Sequence, residues 1–93
     1  DLEIDPPSRE VRLRGRRVVL SQKEFALLKA LAASPTRVFT KEELLRDVWG
    51  YGGRLITRTV DSHASRLRRK LQAAGAELPY VINVWGRGYR LLE

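Results

Sequence analysis

The sequence contains no cysteine and a single histidine, His63. Without thiols there is neither a disulfide framework nor a zinc–thiolate site. A metal site or catalytic dyad built on His63 would have to recruit carboxylates, and none lies four positions away on its helical face. The acids are scattered among helix starts rather than gathered, so the chain is not expected to be an enzyme and no cofactor or metal is implied. No apolar run approaches the ~20 residues that cross a bilayer, and the N-terminus lacks the basic start and apolar middle of a secretion signal. The 93 residues therefore read as one soluble domain with a single core, expected in the cytoplasm and off the membrane.

Acid is scarcest where base is densest. The net charge is +7, but residues 1 to 53 carry 10 Lys and Arg against 8 acids, whereas residues 54 to 93 carry 8 against 3. Such a one-sided positive field attracts a polyanion and speeds encounter with it. An anionic membrane would answer the same field, but the basic helix lacks the broad apolar face of an interfacial one.

That helix spans residues 58 to 74. Val60, Ala64, Leu67, Leu71 and Ala74 recur at helical spacing and form one apolar stripe that must face a core. At roughly 100° per residue the opposite side carries Arg58, Ser62, Ser65, Arg66 and Arg69. Solvated helices usually mix signs, often as Glu–Lys pairs four apart. Here Asp61 stands alone among Arg54, Arg58, Arg66, Arg68, Arg69 and Lys70, so a face of hydroxyls and arginines suited to phosphates and base edges is the better reading.

Upstream, residues 1 to 20 alternate in short runs broken by Pro6-Pro7-Ser8 and Arg14-Gly15-Arg16, which predicts a small antiparallel sheet. Ser21-Gln22-Lys23-Glu24 is a capping box, with a first helix running to about Ser34 before Pro35. Thr40-Lys41-Glu42-Glu43 repeats the device, and Gly50 is placed to end the second helix. After Gly75 the period changes: Tyr80 to Val84 and Tyr89 to Leu92 read as strands joined by Trp85-Gly86-Arg87-Gly88. A hairpin with Arg87 at its tip, directly after a basic helix, looks like the wing of a winged helix-turn-helix. The expected fold is α+β: an N-terminal antiparallel sheet (residues 1 to 20), a three-helix core (21 to 75) and a C-terminal β-hairpin wing (80 to 93).

These segments resemble the effector domain of OmpR/PhoB-family two-component response regulators. The matching pieces are Leu20-Ser21-Gln22-Lys23-Glu24-Phe25, Arg37-Val38-Phe39-Thr40-Lys41-Glu42-Glu43-Leu44-Leu45, Val48-Trp49-Gly50, Arg58-Thr59-Val60-Asp61-Ser62-His63, Arg66-Leu67-Arg68-Arg69-Lys70-Leu71 and Val84-Trp85-Gly86-Arg87-Gly88-Tyr89-Arg90. The resemblance implies that residues 58 to 74 form the recognition helix, with Ser62, Ser65, Arg66 and Arg69 reading base edges of double-stranded DNA. It places Arg58, Thr59, His63, Arg68 and Lys70 near phosphates, together with Trp49 through its indole N–H, Asn83 and Tyr89. With Trp85 standing where a wing arginine is common, Arg87 is the residue expected to take the minor-groove contact. The loop from Gly50 to Thr57, with Tyr51, Arg54 and Leu55, is similar to a docking surface for RNA polymerase. Binding as a homodimer on direct repeats is implied as well.

The chain departs from the family pattern at Ala64, Ser65, Asn83 and Trp85, where a larger aliphatic, a basic residue, threonine and arginine are usual. The family's N-terminal sheet has four strands and this chain begins within the second, so it reads as the effector part of a longer regulator. Asp61 is expected to pair with Arg58 or Arg68, Trp49 to bury its ring, and Tyr89 to pack inward from a wing strand. Arg12, Arg14, Arg16 and Arg17 form a second basic cluster, read as solvated or as a contact for a neighbouring protomer. The rival to DNA binding is a protein-interaction module docking RNA polymerase or another partner, which would show little salt-dependent affinity for DNA.

Overall fold

A computed structural model describes residues 1–50 and 56–93. The first three strands, β1 (Leu2–Asp5), β2 (Glu10–Leu13) and β3 (Arg16–Val18), form an antiparallel sheet in sequence order. Ile4 stands opposite Val11, and Val11 opposite Val18, so one face of the sheet is apolar. Val11 and Leu13 are buried while Arg12 between them is exposed, the period-two alternation of a strand covering a core on one side.

Helix α1 (Gln22–Ala32) starts at Ser21 with both halves of the capping box made: the Ser21 hydroxyl accepts the Glu24 N–H, and Glu24 accepts the Ser21 N–H. It ends two residues before the expected Ser34, because Pro35 disfavours helical geometry in the residue ahead of it. Helix α2 (Lys41–Leu44) is capped in the same way by Thr40 and Glu43. It then widens into a π-helical turn (Leu45–Trp49) that the sequence pattern does not announce, and Gly50 closes it at φ 83°. That left-handed conformation is one that glycine enters without a Cβ penalty.

Helix α3 (Arg58–Ala73) lays Val60, Ala64, Leu67 and Leu71 against α1 and the rest of the core, as the stripe predicts. Burying a leucine such as Leu67 contributes about 1.5–3 kcal/mol.

The C-terminal sheet differs from a bare hairpin. Strands β5 (Ile82–Val84) and β6 (Gly88–Arg90) pair antiparallel, and a two-residue strand β4 (Phe39–Thr40) adds to β6, giving the order β4–β6–β5. The short β4 carries no periodic signal, and its Thr40 doubles as the α2 cap. The wing's first strand starts at Ile82 rather than Tyr80, because Val81 sits at φ 60°, a left-handed conformation that a β-branched residue rarely adopts. Two hydrogen bonds hold Val81 there: its N–H donates to the Leu91 carbonyl at 3.1 Å, and its carbonyl accepts from Arg68 Nε at 3.1 Å. Gly88 is required by crowding, since a Cβ on it would lie 1.8 Å from the Phe39 carbonyl oxygen. The sheet is thus bound at one end to the start of α2 and at the other to α3.

Candidate nucleic-acid interface

With its apolar stripe sealed, α3 turns Arg58, Ser62, Arg66 and Arg69 outward, and Ser65 is half-exposed beside them. Ser62, Ser65 and Arg69 make no side-chain hydrogen bond or ion pair with any described residue. Their donors and acceptors are therefore open to a ligand. Of the other expected contact residues, Trp49, Thr59, His63, Arg68, Lys70 and Asn83 are half-exposed, Arg87 is exposed and Tyr89 is buried.

Asp61 pairs across the fold, in place of the expected Arg58 or Arg68. Lys41, in the first turn of α2, brings Nζ within 3.1 Å of Oδ1, and the Tyr89 hydroxyl donates to the same oxygen at 2.6 Å. A helical wheel shows only neighbours on its own helix, and both partners come from other elements. Partial burial works against the ionised Asp61, but the Tyr89 and Lys41 hydrogen bonds outweigh it and hold its pKa below the usual aspartate value. Arg58 adds only through-space attraction. Tyr89 feels the converse: burial and then the Asp61 carboxylate push its hydroxyl well above the ordinary tyrosine range. Tyr89 packs inward as expected, but it is 3% exposed and its proton is committed to Asp61, so the structure does not offer it as a phosphate donor.

Lys70 and Arg68 are also turned inward from their expected roles. Lys70 Nζ lies 2.7 Å from Glu24 Oε1 on α1, and Arg66 Nε lies 3.6 Å from Glu24 Oε2. Glu24 is the one buried charged residue among those described. Burial alone would raise its pKa, but the bonds from Lys70 and from the Ser21 backbone hold it below the usual glutamate value. Sequence reasoning assigned Glu24 only to the capping box. Its reach to α3 spans 46 positions and leaves no local signal. Arg68 spends Nε on the Val81 carbonyl and so joins α3 to the entry of the wing.

His63 Nδ1 lies 2.9 Å from the Thr59 carbonyl, and because a carbonyl only accepts, Nδ1 carries the proton. In the neutral ring Nε2 is then an acceptor, so His63 can donate to a phosphate only as imidazolium. Its ring meets Trp49 edge-on, with centroids 4.9 Å apart and planes at 74°. Trp49 is half-buried at the end of the π-helical turn rather than fully buried. On the wing, Asn83 is half-exposed opposite Tyr89, while Arg87 is exposed in a turn closed by its N–H to the Val84 carbonyl at 2.9 Å. Beside it Trp85 is 87% exposed. Tyr51, Arg54 and Leu55 lie outside the described residues.

In the second basic cluster, Arg12 pairs with Glu10 and Arg14 with Glu77, leaving the exposed Arg16 and Arg17 without an ion pair to any described residue. Among the described residues no group of acids and His63 could hold a metal, and no helix is long and apolar enough to cross a membrane.

An N-terminal three-stranded antiparallel sheet, a basic third helix and a wing stapled to it have known counterparts. The family model described as "Transcriptional regulatory protein, C terminal" matches residues 15–91. The chain belongs to this family of OmpR/PhoB-type effector domains. An uncharacterized transcriptional regulatory protein of Bacillus subtilis, YclJ, is 46% identical over 91 residues, which are 97% of this chain and 39% of that protein. The DNA-binding response regulator MtrA of Mycolicibacterium smegmatis is 42% identical over 90 residues, 97% of this chain and 40% of its own length. The chain thus spans about two-fifths of these relatives. Among solved structures, the DNA-binding domain of the response regulator AdeR, in complex with an intercistronic region, superposes with a TM-score of 0.89 at 35% identity, covering 99% of this chain and 94% of that one. The Klebsiella pneumoniae RstA DNA-binding domain, in complex with the RstA box, gives 0.82 at 35% identity, covering 98% and 90%. The winged helix-turn-helix expected from the sequence is the fold observed.

Proposed function

We propose that this effector domain binds duplex DNA sequence-specifically, with α3 in the major groove and the wing on the adjacent backbone and minor groove. The observation that carries the reading is the outward face of α3, where Ser62, Ser65 and Arg69 are without partners among the described residues and Arg66 is half-exposed on a helix otherwise locked into the core. Arginine forks and serine hydroxyls match the donor and acceptor pattern of base edges. Arg58, Thr59, His63, Trp49 and Asn83 anchor phosphates, and Arg87 enters the minor groove. The AdeR and RstA domains, similar in fold and both solved with DNA, support this reading.

The intact protein is then a two-component transcriptional regulator whose effector domains sit in tandem on direct repeats, with the segment from Gly50 to Thr57 facing RNA polymerase. Selection of bound duplexes from a random library, followed by a salt series on the winner and on scrambled DNA, tests the core of it. A recurring motif with discrimination of roughly 10³ or more is expected. Uniform, steeply salt-dependent binding would reduce the domain to a nonspecific basic surface, and no binding would leave the protein-interaction reading.

A further inference from the structure

Glu24 has two oxygens and three partners. Oε1 accepts the Ser21 N–H at 2.8 Å and Lys70 Nζ at 2.7 Å, while Oε2 lies 3.6 Å from Arg66 Nε. Arg66 and Lys70 stand one helical turn apart on α3, so a single buried carboxylate on α1 meets two cations of the helix proposed to enter DNA. Their situations differ. Lys70 is drawn fully onto the carboxylate, whereas Arg66 approaches it only through an ion pair of 3.6 Å at Nε, beyond hydrogen-bond length. Neither terminal nitrogen of Arg66 is bonded to a described residue, and the side chain is 49% exposed.

The chemistry of the guanidinium makes this division consequential. Its donors form a rigid planar fork, and reading guanine O6 and N7 takes two parallel donors. A bare buried carboxylate would draw that fork into a bidentate ion pair and remove it from the groove. With Lys70 supplying the main countercharge, Glu24 steadies one edge of the fork and leaves the other free. We infer that the Glu24–Lys70 pair is a positioning device for sequence recognition, setting Arg66 by its Nε so that both terminal nitrogens face a guanine. The inference rests on the proposed reading of α3 as the base-reading helix. It reverses the role expected of Lys70, which becomes an internal counterion in place of a phosphate contact.

The test uses the duplex recovered by selection and a scrambled duplex of the same composition. Lys70→Gln is expected to weaken the selected duplex roughly tenfold, to leave the scrambled one within about twofold, and to leave the salt dependence unchanged. Glu24→Gln keeps an acceptor for Ser21 and should lower discrimination in the same direction. In a cycle with Arg66→Ala, Glu24→Gln should add no further loss of discrimination, because it acts through Arg66. Equal loss on both duplexes for Lys70→Gln, with the salt slope reduced by about one, would make Lys70 a phosphate contact and overturn the inference. So would unchanged discrimination in both single variants, or a Glu24→Gln loss that persists beside Arg66→Ala. Lys70, 42% exposed, decides the matter even if Glu24→Gln fails to fold. Selection that enriches no duplex would instead overturn the base-reading role of α3, and this inference with it.

Discussion

Single residues on α3 divide by what already holds them. Arg69 has no partner within the described protein, so replacing it with alanine disturbs nothing but a bound ligand. Arg69→Ala is expected to lose roughly 1–3 kcal/mol on the best duplex and to relax preference at one base pair. Equal loss on random DNA would make it a phosphate contact. Tyr89 is the opposite case. Tyr89→Phe removes the hydroxyl donated to Asp61 and should lower stability by about 1 kcal/mol in urea titration, while DNA affinity stays within about twofold. A uniform drop in affinity at unchanged stability would place that hydroxyl on DNA after all.

Elements respond through packing. Leu67 is fully buried between α3 and the core, and Leu67→Ala should cost about 2–5 kcal/mol, read as a lower denaturation midpoint. The wing depends on one close approach: at Gly88 an added methyl would run into the Phe39 carbonyl, which belongs to backbone and cannot swing away. Gly88→Ala is therefore expected to separate β4 from β6, seen as faster amide exchange at Tyr89 and weaker binding to any duplex. Amide protection equal to the parent protein would show that the strand shifts without releasing the wing. The capping boxes, the Pro35 stop and the apolar stripe were legible because each is written in neighbouring residues. The π-helical turn, β4 and the late start of β5 were not, since backbone hydrogen bonding from distant segments decides all three.

At the scale of the molecule, α1, α2, α3 and the wing are joined by two ionised carboxylates. Glu24 and Asp61 both have pKa values lowered from their ordinary 4.5 and 3.8. A carboxylate with a depressed folded-state pKa contributes stability that is fully present above its unfolded value and is lost as pH falls through the folded one. The domain should thus hold its stability from neutral pH down to about pH 5 and lose it progressively below about pH 4.5. Asp61→Asn should flatten part of that acid limb in urea titrations from pH 7 to pH 3, and an unchanged slope would refute the coupling.

The sequence by itself determined the charge asymmetry, the order of the N-terminal sheet, the helices and the wing, the capped starts of α1 and α2, and which face of α3 is buried. Periodicity and local capping act over a few residues, so they survive in a linear reading. Only the tertiary structure decided which cations on α3 remain available. Composition counts Arg58, Arg66, Arg68, Arg69 and Lys70 alike, but Glu24 on α1 and the Val81 carbonyl before the wing take Lys70 and Arg68, while Asp61 of α3 itself takes Lys41 of α2. Charge is a property of composition, whereas its pairing depends on which segments the fold brings within a few ångströms.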